Sequence, residues 1–170
     1  MNIGFELTQV IECPVEQVFR FLAEPENLAL WNYYVVSATK KSAGDTGYGT
    51  VFELKRRQDL HSYKVIDYTP PHKIKIELLP PGPAQQFAFV LSPKEGNTQV
   101  TYDWKVNLEN YSLLKYIPSG FFKRWLLSFA ERHVQKLIKS AVEENFHKLK
   151  TLLETGHVVL QDGRHISLPQ

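Results

Sequence analysis

The sequence holds one cysteine, Cys13, in 170 residues. A single thiol excludes an internal disulfide and suits a reducing compartment, so a cytoplasmic location is expected. A surplus of one charge is also lacking. Lys and Arg number 20 against 18 Asp and Glu, a net charge of +2, and that balance gives no strong pull toward nucleic acid. No window is apolar for the ~18 residues that a membrane span needs. The opening MNIGFELTQVIEC has no basic region and no long apolar run, so it reads as a strand and not as a secretory leader. Histidines stand at positions 61, 72, 133, 147, 157 and 165 without an H-x-H or H-E-x-x-H pair, so no metal is expected. There is no G-x-S-x-G, and the glycines at 44, 47 and 49 lack the Lys-Ser/Thr ending of a phosphate loop. No cofactor is expected either. Cys13 has no basic neighbour in sequence to lower its pKa and reads as an inert structural thiol.

Aromatic residues are plentiful: ten Phe, eight Tyr and three Trp. Ile3, Phe5, Leu7 and Ile11 alternate with Glu6, Thr8, Val10 and Glu12, the pattern of a half-buried strand. Pro14 suits the start of a helix, where its missing N–H costs nothing. Val15, Val18, Phe19 and Leu22 then form one helical stripe. Pro25 ends that helix and opens a second short one carrying Leu28 and Leu30, after which come Trp31, Tyr33 and Tyr34. Six strands are predicted next, over 35–41, 51–56, 61–68, 73–79, 85–91 and 98–108. Gly-rich, Pro-Pro and Glu-Gly-Asn turns punctuate them, which makes an antiparallel meander.

From Ser119 to Glu154 no proline occurs, and the only glycine is Gly120, so a long helix is predicted. Its apolar stripe turns. Phe122, Trp125, Leu126 and Phe129 give way to Val134, Leu137, Ile138, Ala141, Leu149 and Leu152, rotated by about a quarter turn at ~100° per residue. The domain is placed at residues 1–154. The tail 155–170 carries Asp162-Gly163 between two β-like runs, a hairpin signal.

The carrying stretches IECPVEQVFRFL (11–22), AEPENLALW (23–31), GYGTVF (47–52) and VIDYTPPHKI (65–74), in that order, resemble the START-like SRPBCC superfamily. The likeness is closest to its polyketide cyclase/dehydrase and lipid-transport branch. It extends over about residues 3–153, and its specificity lies in the order and spacing of short motifs. The resemblance implies an α+β helix-grip fold: a curved antiparallel sheet wrapped around the long C-terminal helix, with the two short helices closing one end of the groove. It carries over no catalytic residue, and fold alone does not define function.

The expected function is binding of a hydrophobic or aromatic small molecule, lipid or polyketide-like, in a cavity between sheet and helix. One alternative is a cyclase/aromatase-type enzyme using the same cavity. Strand phase puts Tyr63, Phe87, Phe89, Tyr102 and Trp104 on one face, as core or as pocket wall. The candidate ligand-binding set adds Trp31, Tyr33, Phe52, Ile76, Phe122, Trp125 and Phe129. A pocket needs a few polar groups to orient its ligand, and Tyr63, Tyr102 and the Trp104 indole could supply them. For acid–base chemistry His133 is the best candidate, with Tyr63 or Tyr102 as partner, because an unperturbed imidazole titrates near neutrality. Residues 111–129 mix apolar side chains with Lys115, Lys123 and Arg124. They read as packed core, as a lid hinged at Pro118–Gly120, or as a module for transient membrane-surface or protein contact. A homodimer is a further expectation.

Overall fold

In the computed structural model the backbone is described for residues 2–107 and 121–169, and side chains for 3–107, 135, 136 and 138–169. Strand β1 (Asn2–Ile11) is followed by helix α1 (Val15–Ala23), a single 3-10 turn (Pro25–Asn27) and the short helix α2 (Leu28–Trp31). Six strands succeed them: β2 (Val35–Lys40), β3 (Val51–Arg56), β4 (Leu60–Thr69), β5 (Lys73–Leu78), β6 (Ala84–Lys94) and β7 (Asn97–Asn107). Helix α3 (Phe121–Thr155) and a small hairpin, β8 (His157–Val159) with β9 (His165–Ser167), complete the chain.

All seven long strands form one antiparallel sheet in the order β1-β7-β6-β5-β4-β3-β2. The first strand thus pairs with the last, and the segment of short helices carries the chain from one edge of the sheet to the other. The β6–β7 turn shows local chemistry setting register. Lys94 pairs with Asn97, leaving Glu95 and Gly96 as a two-residue loop with φ of 51° and 84°. Two positive φ angles match the right-handed twist of the flanking strands, and glycine meets that requirement without strain. Register shifts occur between Val65 and Asp67 and between Val35 and Ser37. Such irregularities bend a strand and raise its twist, which helps the sheet to curl.

The fold is therefore the helix-grip arrangement, with α3 across the concave face. The inner face is mostly apolar. Ile3 and Phe5 pair with Val106 and Trp104, and Phe87 and Phe89 pair with Trp104 and Tyr102. Ile74 and Ile76 stand opposite Phe89 and Phe87. Val18, Phe19 and Leu22 of α1 and Phe146, Leu149, Leu152 and Leu153 of α3 complete the core. Strand ends differ from the sequence reading by a few residues. The largest change is β6, which continues past Leu91 to Lys94 through Pro93. Proline is tolerated there because it lies at the end of the hairpin, beyond the middle of the ladder.

Polar contacts seat the end of α3. Glu154 Oε1 accepts the Glu12 N–H and the Lys150 ammonium, both at 2.7 Å. Cys13 is buried and its thiol donates to the Leu153 carbonyl at 3.3 Å. Burial, then the nearby Glu154 charge, push that thiol's pKa up, which disfavours the reactive thiolate. The hairpin packs on the same end, with Val158 and Leu160 buried in the core.

Candidate functional site

A cavity of about 650 Å³ lies between the inner face of the sheet and α3. The sheet supplies Ile3, Leu54, Arg56, Tyr63, Gln85, Phe87, Phe89, Tyr102, Trp104 and Val106. Leu28, Trp31, Asn32 and Tyr34 come from α2 and the turn after it, and Val35 from the start of β2. Ile138, Ala141, Val142 and Asn145, spaced to share one face of α3, form the opposite wall. The volume is in the range of small-molecule sites, which are mostly apolar with a few orienting polar groups. A second hollow of about 670 Å³ shares Ile3, Gln85 and Val106 but opens onto Glu77, Gln86 and Lys105 at the rim of the sheet. Its wall mixes Ile3, Leu78 and Val106 with the charges of Glu77 and Lys105 and holds no aromatic ring, and the aromatic cavity is the better candidate site.

A chain of ring contacts builds the wall. Phe52 stacks on Tyr63 with centroids 5.7 Å apart, and Tyr63 meets Phe87 edge-on at 6.1 Å. Phe87 contacts Phe89, Phe89 contacts Tyr102 at 5.1 Å, and Tyr102 reaches Phe146 of α3 at 6.2 Å. Trp31 meets Phe89 edge-on at 6.3 Å, and Phe5 stacks on Trp104 at 5.3 Å. These stacked, tilted and edge-on geometries suit the ring quadrupole and hold the wall in shape. The alternation of β4, β6 and β7 produces the arrangement, because i, i+2 positions share a face.

The polar groups are neutral or already paired. Desolvation raises the pKa of the Tyr63 and Tyr102 phenols, for Tyr102 far above the ordinary tyrosine range. Both remain protonated at neutral pH and can donate a hydrogen bond. Arg56 holds Asp59 through two bonds, Nε at 2.7 Å and Nη2 at 3.1 Å. His61 lies 3.5 Å from the same carboxylate. Asn145 is 2% exposed, and its Oδ1 accepts the Tyr33 N–H at 3.0 Å.

Of the residues singled out in the sequence, Trp31, Tyr63, Phe87, Phe89, Tyr102 and Trp104 stand together in the cavity wall. Phe52 lies behind Tyr63, and Ile76 is buried beside Phe87 in the ladder. The Tyr33 ring turns outward under the Arg57 guanidinium, 4.4 Å from its centroid, while its backbone reaches Asn145. The side chains of Phe122, Trp125, Phe129 and His133, and the hinge at 118–120, lie outside the described residues. Sequence reasoning passed over Arg56, Gln85 and Asn145. Each is a polar residue in an otherwise apolar phase: Arg56 follows Phe52 and Leu54, Gln85 precedes Phe87, and Asn145 falls seven residues after Ile138. Among the described residues no group of His, Cys, Asp and Glu could hold a metal ion, and no helix is long and apolar enough to cross a membrane.

Sheet, short helices and α3 thus define a helix-grip protein with an aromatic cavity. The chain belongs to the polyketide cyclase/dehydrase and lipid transport family, whose model matches residues 2–154. No curated protein matches it in sequence. Solved structures share the fold at low identity. The di-domain ARO/CYC StfQ from the steffimycin biosynthetic pathway superposes with a TM-score of 0.66 at 11% identity, over 91% of this chain and 51% of that one. Protein CV1439 from Chromobacterium violaceum gives 0.60 at 14% identity, over 89% and 98%. The Aha1 dimer from Colwellia psychrerythraea gives 0.55 at 17%, over 92% and 98%.

Proposed function

We propose that this protein binds a hydrophobic small molecule, lipid or polyketide-like, between its sheet and α3. The observation that carries the reading is the cavity of about 650 Å³ walled by Trp31, Phe87, Phe89, Tyr102 and Trp104 on one side and Ile138, Ala141 and Val142 on the other. Apolar surface of a ligand removed from water there gains about 25 cal/mol per Å² before the costs of ordering. The family description, which joins polyketide cyclases with lipid transport, supports the same ligand class. Native mass spectrometry of the purified protein, followed by solvent extraction, tests it. The expected result is a bound mass in the few-hundred-dalton range typical of cavity ligands, released into an organic phase. Failure to retain any apolar compound, whether co-purified or added, contradicts the reading.

The two phenols in the cavity wall, Tyr63 and Tyr102, favour one second reading, a cyclase. A phenol O–H can polarise a ketone carbonyl so that an enol carbon of the same poly-ketone attacks its carbonyl carbon; the C=O opens to a hydroxyl that takes up the proton the enol releases, and that hydroxyl then leaves as water with a hydrogen of the adjacent carbon. The structural likeness to an ARO/CYC protein supports it. Incubation with a poly-ketone thioester, read as loss of water by mass spectrometry, tests it. Turnover should fall in Tyr102→Phe with binding retained; equal turnover in the variant contradicts a role for that phenol. Self-association, supported by the likeness to a dimeric structure, is read by sedimentation velocity as twice the monomer mass; a monomer at all accessible concentrations contradicts it.

A further inference from the structure

Asn145 has a hydrogen-bond donor, its amide nitrogen, that the fold leaves without an acceptor among the described residues. The residue is 2% exposed and stands in the cavity wall beside Ile138, Ala141 and Val142. Its Oδ1 accepts the Tyr33 N–H at 3.0 Å. A backbone N–H can only donate, so this contact decides which end of the amide is which. The oxygen is committed to Tyr33, and the Nδ2 amino group is left for the cavity. Among the described residues nothing accepts from it. Nor is it sealed off, because the one fully enclosed polar side-chain atom without a partner among the described residues is Asp103 Oδ1.

We propose that Asn145 selects the ligand by donating a hydrogen bond from Nδ2 to a neutral acceptor, a carbonyl oxygen carried on an apolar ring system. The inference rests on the cavity-binding reading above and narrows its ligand class. A ligand that fills the cavity displaces water from the amino group, and one without an acceptor leaves that donor dry, which costs more than a hydrogen bond gains. A carboxylate fits less well. Its charge would be buried against aromatic walls, and the lining cation, Arg56, is already held by Asp59 through two bonds. The indole of Trp104 can only donate, and it lines the same cavity. A ketone needs only donors.

Fluorene and fluorenone differ by the carbonyl alone and serve as probes. Their affinities are read by displacement of phenylnaphthylamine fluorescence. For the wild type, fluorenone should bind about tenfold tighter than fluorene, the worth of one hydrogen bond. In Asn145→Leu that ratio should fall to about one. Asn145→Asp, at mildly alkaline pH, keeps an oxygen for the Tyr33 N–H and removes the donor. It should abolish the preference even if the leucine variant fails to fold. The carbonyl stretch of bound fluorenone should be lowered in the wild type and return toward its apolar-solvent position in the variants. Equal affinities in the wild type, or an unchanged ratio in a folded variant, overturn the inference while leaving cavity binding intact. If neither probe binds and neither displaces the dye, the cavity reading itself is overturned, and the inference with it.

Discussion

Tyr102 concentrates the physics of the site in one side chain. It lines the cavity, touches Phe5, Phe87, Phe89 and Phe146, and carries a phenol that burial keeps protonated. Its folded pKa is raised above the unfolded value of about 10. The sign follows: the stabilisation is fully present below about pH 10 and is lost as pH rises toward the folded value. Tyr63 acts in the same direction. Stability measured against pH should therefore decline above about pH 10, and Tyr102→Phe should flatten that decline. An unaltered alkaline limb in the variant would contradict the assignment. Phe89 differs in kind, being 1% exposed and held between Trp31, Phe87 and Tyr102. Phe89→Ala should cost about 3–5 kcal/mol in urea unfolding, through lost burial plus a residual cavity. A loss below about 1 kcal/mol would mean the wall collapses around the gap.

At the scale of elements, the tail hairpin is joined to the rim of the cavity. Asp162, at its turn, accepts from Arg57 at 2.8 Å and from Arg164 at 2.9 Å. Arg57 covers the Tyr33 ring, and Arg164 Nη2 reaches the Tyr33 carbonyl at 3.4 Å. Tyr33 in turn holds Asn145. Desolvation alone would raise the Asp162 pKa, but its hydrogen bonds from Arg164 and the charges of both arginines outweigh it and hold the carboxyl low. A depressed carboxylate stabilises above its unfolded pKa and loses that contribution as pH falls through its folded value, here below about pH 4. Protection factors of the β8–β9 amides, taken relative to intrinsic exchange at the same pH, should fall in Asp162→Ala at neutral pH, and in the wild type on acidification below about pH 4. Equal protection in wild type and variant would show that apolar packing of Val158 and Leu160 alone seats the tail.

For the whole molecule, much of the fold was legible in local pattern. Alternation in KIKIEL and QFAFVL placed Ile74, Ile76, Phe87 and Phe89 on one face, and the Glu-Gly-Asn turn set the last hairpin. Pairing of β1 with β7 joins residues about a hundred positions apart. No local periodicity encodes such a pairing, and it was legible only through resemblance to a known fold. The candidate site divides the same way. Its aromatic wall follows from strand phase, whereas Arg56, Gln85 and Asn145 are polar residues in apolar phase, which periodicity treats as exceptions. The part played by Tyr33 was hidden because its backbone, not its ring, faces the site. Methyl chemical-shift mapping during titration with phenylnaphthylamine tests the central claim most directly. The account predicts that shifts concentrate on Ile3, Leu54, Val106, Ile138 and Val142, which line the cavity. Shifts confined to the exposed Val36, Leu60, Val90 and Val159 would place binding on the outer surface and contradict it.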